Sequence, residues 1–137
     1  MSKQKLKDRS ILIIDDDPSI RFLVKSALRN LKNVHFTEAG NGKEGFDLLA
    51  HKFPDLIFLD VVMPVMNGID FLHKLRADAQ YSNIPVILLT GYRDSERLVD
   101  ALKLPKTTLI TKPFLLEDLV EQAQKYLSTN QSNLTRT

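Results

Sequence analysis

The chain contains no cysteine, and this absence excludes disulfide bonds and thiolate metal sites while allowing a reducing compartment. Long apolar runs are missing as well. The opening segment lacks the apolar stretch of a signal peptide, and no segment approaches the roughly 20 apolar residues of a membrane-spanning helix. We therefore expect a cytoplasmic protein with no membrane partner.

A large excess of one charge is also absent. The 19 basic and 17 acidic residues give a formal net charge of +2 at pH 7, which is too small to indicate direct nucleic-acid binding. The basic lead-in over residues 1–9 is interpreted as a solvated terminus. There is no Walker loop and no GxGxxG motif, so no nucleotide site is indicated. The three histidines lie on a predicted strand or on helices, away from the strand ends: His35, His51 and His73.

The 137 residues, of which 43% are hydrophobic and 26% charged, are typical of one globular domain that can bury a sizeable core. Apolar runs of four to six residues alternate with segments of helical period. This alternation predicts an α/β fold of five strand–helix units, with a parallel sheet and helices on both faces. We expect the domain to cover residues 10–127 and the polar tail over 128–137 to be disordered.

The predicted strands are Ile11–Ile14, Val34–Thr37, Asp55–Leu59, Val86–Leu89 and Thr108–Thr111. Asp17 is expected to cap the first helix, with Pro18 at the first helical position. The last two helices are predicted from apolar residues at helical spacing. A shorter, weaker fourth helix is indicated by Leu98, Val99 and Leu102, and an amphipathic fifth helix by Leu116, Leu119, Val120, Ala123 and Leu127.

Four of the predicted strands run into residues that carry chemistry. Asp15 and Asp16 follow the first strand, Asp60 ends the third, Thr90 and Gly91 end the fourth, and Lys112 follows the fifth. In a parallel sheet, ligands bind beyond the carboxyl ends of the strands. We therefore expect carboxylates, a hydroxyl and an ammonium to meet at one edge of the sheet.

Several carboxylates at one edge repel each other, by roughly 4 kcal/mol per pair at 4 Å with an effective dielectric of 20. Either a cation lies among them or at least one pKa is raised. Mg²⁺ fits, since it prefers oxygen ligands and retains waters. One of Asp15 and Asp16 would ligate directly and the other through water, and Asp60 would complete the site. Asp60 is also the candidate nucleophile for phosphoryl transfer, with Thr90, the Gly91 N–H and Lys112 as donors.

At this point the segments ILIIDDD, LDVVMPVMNG, LLTG and TKPF, in this order, resemble the response-regulator receiver domain of two-component signalling, over about Ser10–Leu127. The resemblance implies a flavodoxin-like sheet with strand order 2-1-3-4-5. It also implies that Asp60 accepts a phosphoryl group from a histidine kinase or a phosphotransfer protein in a two-component system or phosphorelay. Signalling would then pass by protein–protein contact, most plausibly through helix 4, strand 5 and helix 5, with phosphorylation-dependent dimerisation as one form of that contact.

The resemblance also implies individual roles. Mg²⁺ would be ligated by Asp16, Asp60 and the carbonyl of Val62, with Asp15 acting through water. Thr90 and Lys112 would bind the phosphoryl group, helped by backbone groups of Gly91, Val61 and Val62, and the Lys112–Pro113 bond would be cis. Such domains catalyse only their own phosphorylation and dephosphorylation, so an enzyme in the usual sense is not expected.

Two positions are of special interest. Leu109 lies three residues before the lysine, where receiver domains commonly carry an aromatic switch residue. We expect a less directional apolar shift there. Tyr92 is hypothesised to shield the phosphoryl group from water. Partner docking is assigned to Ile20, Pro113 and Phe114, with the alternative that Ile20 faces the core.

Other functions remain open. An Mg²⁺-dependent phosphohydrolase of the haloacid-dehalogenase kind also uses an aspartate nucleophile, but it requires a second carboxylate two residues later, where this chain has Val62. A flavin-binding protein is disfavoured because an acidic crevice repels the phosphate of FMN. The chain is also compatible with a receiver fragment of a larger regulator or hybrid kinase.

Overall fold

Five parallel strands form one sheet in the order β2-β1-β3-β4-β5. The computed structural model describes residues 8–91 and 96–135, with side chains as far as Leu127. The strands are β1 (Arg9–Ile14), β2 (Val34–Ala39), β3 (Leu56–Asp60), β4 (Val86–Thr90) and β5 (Thr107–Thr111), and the helices are α1 (Pro18–Ala27), α2 (Gly42–Leu49), α3 (Gly68–Ala77), α4 (Glu96–Leu102) and α5 (Leu116–Thr135). The predicted flavodoxin-like topology is confirmed.

Helices cover both faces of the sheet, which explains why its central strands are apolar at successive positions. Alternate residues of β3 enter different cores. Ile57 and Leu59 join the core that contains residues of α2, α3 and α4, whereas Leu56 and Phe58 join the core built with α1 and α5. Two apolar layers therefore hold the strands in place and leave the strand ends free for function.

Helix α1 begins as the sequence predicts. The Oδ1 atom of Asp17 accepts a hydrogen bond from the backbone N–H of Ser19 at 2.9 Å, and Pro18 is the first helical residue. Asn41 and Asn67 cap α2 and α3 in the same way. These caps satisfy backbone donors that a helix start leaves unpaired. Asp17 is thus a structural cap beside the acidic pair.

Two of the apolar residues that indicated the last two helices are exposed. Val99 on α4 is 50% exposed and Leu116 at the start of α5 is 49% exposed. The buried residues of α4 are Leu98 and Ala101, so Val99 points about 100° away from the former around the helix. The buried face of α5 begins one turn after its first residue, with Leu119. The two predicted helices are present, but Val99 and Leu116 lie outside their buried faces.

Helix α5 is longer than predicted. Its backbone continues beyond Leu127 to Thr135, through most of the segment for which the sequence analysis expects a disordered tail. Once a helix is nucleated, each added residue gains a hydrogen bond at little further cost. That cooperativity accounts for a helical extension without an apolar stripe. No helix within the described ranges has both the length and the apolar character needed to cross a membrane.

Candidate functional site

The carboxyl ends of four strands lie level with one another. Ile14 is paired with Leu59, Asp60 with Leu89, and Thr90 with Thr111. The N–H of Lys112 donates to the carbonyl of Thr90 at 2.8 Å, which continues the ladder one residue past β5. The structure therefore brings the predicted acids, hydroxyl and ammonium to the same edge.

Three carboxylates form a cluster at this edge. Asp15, Asp16 and Asp60 each offer an oxygen atom, and these oxygens all lie within 4.8 Å of one another. Asp15 is 1% exposed and Asp60 is 4% exposed, whereas Asp16 faces solvent. Two buried acids and one exposed acid thus surround a common point that is open to water on one side.

The carboxylate of Asp15 is only half satisfied. Its Oδ1 atom accepts a hydrogen bond from the N–H of Asp17 at 2.9 Å, while Oδ2 is buried and has no hydrogen-bond partner in the part of the chain that the structure describes. Burial raises the pKa of Asp15 to about 6, against the hydrogen bond from Asp17, and the nearby charge of Asp60 raises it further. A buried oxygen without a donor is costly, so a cation ligand would relieve it.

Asp60 combines a buried carboxylate with a nearby cation. Burial raises its pKa, and the charge of Asp16 adds to that rise, while Lys112 and the Val62 N–H act in the opposite direction. The Lys112 Nζ lies 3.5 Å from Asp60 Oδ1, and the lysine side chain is 33% exposed. The Asp60 carboxylate therefore lies near the carboxylates of Asp15 and Asp16 and within 3.5 Å of the Lys112 ammonium. This combination suits a carboxylate that receives a negatively charged group.

The loop after Asp60 is held by close backbone packing. The N–H of Gly68 donates to the carbonyl of Val61 at 2.8 Å. A Cβ at Gly68 would lie 2.2 Å from the Asp60 carbonyl oxygen, so only glycine fits there. In the same loop, Val65 has a φ of 71° and is 80% exposed. For a β-branched residue this left-handed conformation is strained.

Two backbone roles assigned from the sequence need comment. The Val61 N–H donates to the Leu89 carbonyl at 3.1 Å, so this donor is consumed by the sheet and is not offered to a phosphoryl group. This corrects the prediction for Val61. The Val62 N–H interacts with the Asp60 carboxylate, and the role of the Val62 carbonyl stays a prediction. A Cβ at Gly91 would meet no described atom within 4 Å. The predicted role of its N–H therefore does not depend on the missing side chain.

A pocket of about 430 Å³ lies beside Thr90, between the loop after β3 and helix α4. Its lining includes Thr90, Arg97 and Leu98. Arg97 is paired with Asp70 of α3 at 2.5 Å. Leu109 is partly buried against the core that contains Leu98, so the predicted switch position contacts the same apolar core as α4.

The residues assigned to docking have different environments. Ile20 is partly buried against the core of α1 and α5, which favours the alternative that it faces inward. Phe114 packs against the same core, whereas Pro113 is exposed and follows a cis peptide bond, as predicted. Phe22 on α1 is 67% exposed and was not selected from the sequence. Tyr92 lies outside the described residues.

One neighbour of the site has no local signal in the sequence. Arg21 donates from Nη1 to the carbonyl of Asp15 at 2.5 Å and from Nε to Glu38 at 2.9 Å. The pairing joins α1 to β2 across many residues, so only the fold reveals it. The predicted remoteness of the histidines agrees with their exposed positions on β2, after α2 and on α3.

Comparisons with known proteins agree with this arrangement. The sequence model of the family described as "Response regulator receiver domain" matches residues 11–124. The chain is 32% identical over 121 residues to chemotaxis protein CheY1 of Helicobacter pylori, covering 88% of this chain and 98% of that protein. It is 30% identical over 124 residues to response regulator Rre1 of Synechocystis sp., covering 90% of this chain and 54% of the relative.

Among solved structures, the signal receiver domain of a signal transduction histidine kinase from Syntrophus aciditrophicus superposes with a TM-score of 0.80. That match has 32% identity and covers 94% of each chain. The chain spans about half the length of several curated relatives, including Rre1. With a family match over most of its length and the acidic cluster, threonine and lysine at one sheet edge, the chain belongs to the response regulator receiver domain family.

Proposed function

We propose that this receiver domain accepts a phosphoryl group on Asp60 and that the acidic cluster binds Mg²⁺. The observation that carries the proposal is the environment of Asp60. An oxygen of its buried carboxylate lies within 4.8 Å of oxygens of Asp15 and Asp16, and the ammonium of Lys112 lies 3.5 Å from its Oδ1 atom. Such a carboxylate is shielded from bulk water and open to an incoming charged group.

The proposed reaction is transfer from a phosphohistidine. An oxygen of Asp60 bonds to phosphorus as the bond from phosphorus to the imidazole nitrogen breaks, and the nitrogen keeps that electron pair. Burial raises the pKa of Asp60 and Lys112 opposes this rise, so the ammonium favours the ionised nucleophile. Mg²⁺, when bound, would neutralise charge on the transferred oxygens. Asp16 and Asp60 would hold it directly, with the Val62 carbonyl, and Asp15 would act through water.

Thr90 and Lys112 are proposed to recognise the phosphoryl group once it is attached. Thr90 is 1% exposed at the end of β4, and it lines the pocket that separates the site from α4. Movement of its hydroxyl towards the phosphoryl group would alter the packing of Leu98 and, through the shared core, of Leu109. Phosphorylation then biases the domain between two states because it binds one of them better.

Receiver domains interact with histidine kinases or phosphotransfer proteins, and we propose such a protein as the donor here. For the output we propose the surface formed by α4, β5 and α5. Support comes from exposed apolar side chains on α4, at the start of α5 and directly before α5: Val99 is 50%, Leu116 49% and Leu115 59% exposed. Apolar side chains left in solvent on adjoining elements are typical of protein contact sites. A phosphorylation-dependent dimer would use the same surface. The expected cytoplasmic location stays a prediction.

The test is covalent labelling by a small acyl phosphate, followed by intact-mass measurement. Wild type should gain one phosphoryl group in Mg²⁺ and none after chelation. Asp60→Asn should not be labelled. Asp17→Asn is the matched control, because asparagine also caps helices and Asp17 Oδ1 is engaged by the N–H and the hydroxyl of Ser19. Undiminished labelling of Asp60→Asn would overturn the assignment.

A further inference from the structure

We propose that Arg21 is a positioning residue of the metal site: its guanidinium orients the peptide group that joins Asp15 to Asp16. This inference rests on the proposed function, since it concerns how the Mg²⁺ ligands are held. Arg21 lies on the second turn of α1, behind the acidic pair, and is not itself an oxygen ligand. Its effect on the metal would therefore act through the backbone.

The contacts of Arg21 connect three elements. Nη1 donates to the carbonyl oxygen of Asp15 at 2.5 Å, and Nε donates to Oε1 of Glu38 on β2 at 2.9 Å. The side chain is 19% exposed, so these hydrogen bonds are largely protected from competing water. A charged donor makes a stronger hydrogen bond than a neutral one.

This carbonyl controls the direction of Asp16. It belongs to the peptide plane between Asp15 and Asp16, and the plane is rigid. The Asp15 N–H already donates to the Ala39 carbonyl at 3.0 Å, and Asp15 Oδ1 accepts from the Asp17 N–H at 2.9 Å. With Arg21 on the carbonyl, the turn is held at three points. The exposed Asp16 side chain then departs from a backbone that cannot rotate freely.

A positive group beside a divalent site would ordinarily weaken metal binding, and Glu38 reduces this effect. Its two oxygens accept from Lys25 at 2.7 Å and from Arg21 at 2.9 Å. These bonds, first that from Lys25, lower the pKa of Glu38, so the carboxylate is ionised. The two cations and the carboxylate together carry a net charge of +1, so Glu38 offsets part of the charge of Arg21, and the role proposed for the guanidinium is geometric.

Lys25 is the natural matched control for Arg21. Both cations bind the same carboxylate from the same helix, so either truncation removes one ionic contact between α1 and β2. Of the two, Arg21 is the one bonded to the Asp15 carbonyl. A merely structural role predicts equal effects for the two truncations, whereas positioning predicts an effect for Arg21 alone.

The experiment measures Mg²⁺ binding by calorimetry in wild type, Arg21→Met and Lys25→Met. Loss of a group that orients a metal ligand typically costs 10- to 100-fold in affinity, and we expect about 10-fold for Arg21→Met. Lys25→Met should stay within about 2-fold of wild type, because the Lys25 ammonium is bonded to Glu38 and its charge, on a side chain that is 35% exposed, is screened by salt. Arg21→Lys, which keeps the charge but lacks the planar guanidinium whose separate nitrogens reach the two acceptors, should fall between them.

A second readout needs no metal. Hydrogen exchange of the Asp17 amide, followed by NMR in chelator, should accelerate in Arg21→Met and not in Lys25→Met, because the turn loses one of its restraints. Equal changes in the two variants, or no change in either readout, would overturn the proposal. If wild type itself fails to bind Mg²⁺, the proposed function fails at the metal. The exchange rates would still decide the role of Arg21.

Discussion

The two edges of the sheet differ in how their buried charged side chains are surrounded. At the carboxyl edge, the buried acids Asp15 and Asp60 lie close together, and both have raised pKa values. At the amino edge, Arg76 reaches from α3 under the starts of β4 and β5. Its Nη1 donates to the carbonyl of Ile84 at 2.7 Å, and its Nη2 donates to that of Lys106 at 3.0 Å.

The difference separates stability from function. Arg76 also donates to the Ser82 carbonyl and the Thr107 hydroxyl, so both of its terminal nitrogens have fixed acceptors, while its buried Nε has no partner among the described residues. The acids at the opposite edge have fewer donors than their oxygens accept, and one Asp15 oxygen has none among the described residues. That edge is completed only by something added from outside, such as a cation.

The largest expected effect is a loss of stability when a methyl group is added in the tightly packed loop at the carboxyl edge. Gly68→Ala would place a methyl group 2.2 Å from the Asp60 carbonyl, which forces the backbone apart. We expect a loss of about 4 kcal/mol in the free energy of unfolding, measured in urea. Gly91→Ala is the control, since a Cβ there meets no described atom within 4 Å. Equal stability of the two variants would contradict the packing argument.

Opening the amino edge should cost slightly less. Arg76→Met keeps the apolar stem and removes the donor of the Ser82 and Ile84 carbonyls, so we expect a loss of about 3 kcal/mol in unfolding free energy. Arg97→Met removes a pair whose side chains are more than half exposed and should cost no more than about 1 kcal/mol. A similar loss in both variants would show that burial of Arg76 is not what matters.

Removing charge from the carboxyl edge should have the opposite sign. Asp15→Asn eliminates a buried carboxylate near Asp60, so the metal-free variant should be more stable than wild type by about 2 kcal/mol at pH 7. Added Mg²⁺ should stabilise wild type and not the variant, because ligands stabilise only the state that binds them. Thermal unfolding with and without Mg²⁺ measures both effects; a destabilised metal-free variant would refute the prediction.

The same contrast predicts a pH dependence. The pKa of Asp15 in the folded protein, about 6, lies above its ordinary value of 3.8. The folded state therefore holds a proton that the unfolded state releases, and metal-free stability should fall as pH rises from about 4 to about 6. The contribution of Asp15 to this fall should be about 3 kcal/mol, and Asp15→Asn should retain only the smaller fall that comes from the raised pKa of Asp60. Urea unfolding in chelator across this range tests it.

The smallest expected effect relieves strain in the loop after β3. Asparagine tolerates the left-handed conformation that Val65 adopts, so Val65→Asn should raise the unfolding free energy by about 1 kcal/mol. Val62 is also an exposed valine, at 60%, but its φ is not positive. Val62→Asn should therefore bring no gain in stability. A gain of equal size at both positions would point to surface polarity as the cause.

Much of the carboxyl edge could be predicted because its signals are local. Asp60, Thr90 and Lys112 each follow an apolar run, and parallel strands deliver their ends to one side. Exposure around a helix was less predictable, and Val99 and Leu116 show why. A short apolar pattern is compatible with several choices of the buried helix face, and contacts with neighbouring elements determine which face is buried. The Val61 N–H was misassigned because its engagement by Leu89 depends on how far the ladder extends.

The order of the elements, the helix caps and the residues at each strand end follow from the amino-acid sequence, because they depend on near neighbours in the chain. The folded arrangement settles which carboxylate oxygen lacks a donor and that Arg21 holds the Asp15 carbonyl. It also settles that Arg76 reaches under the starts of β4 and β5 at the opposite edge. Those features depend on burial and on contacts between distant segments, for which a single sequence carries no local signal.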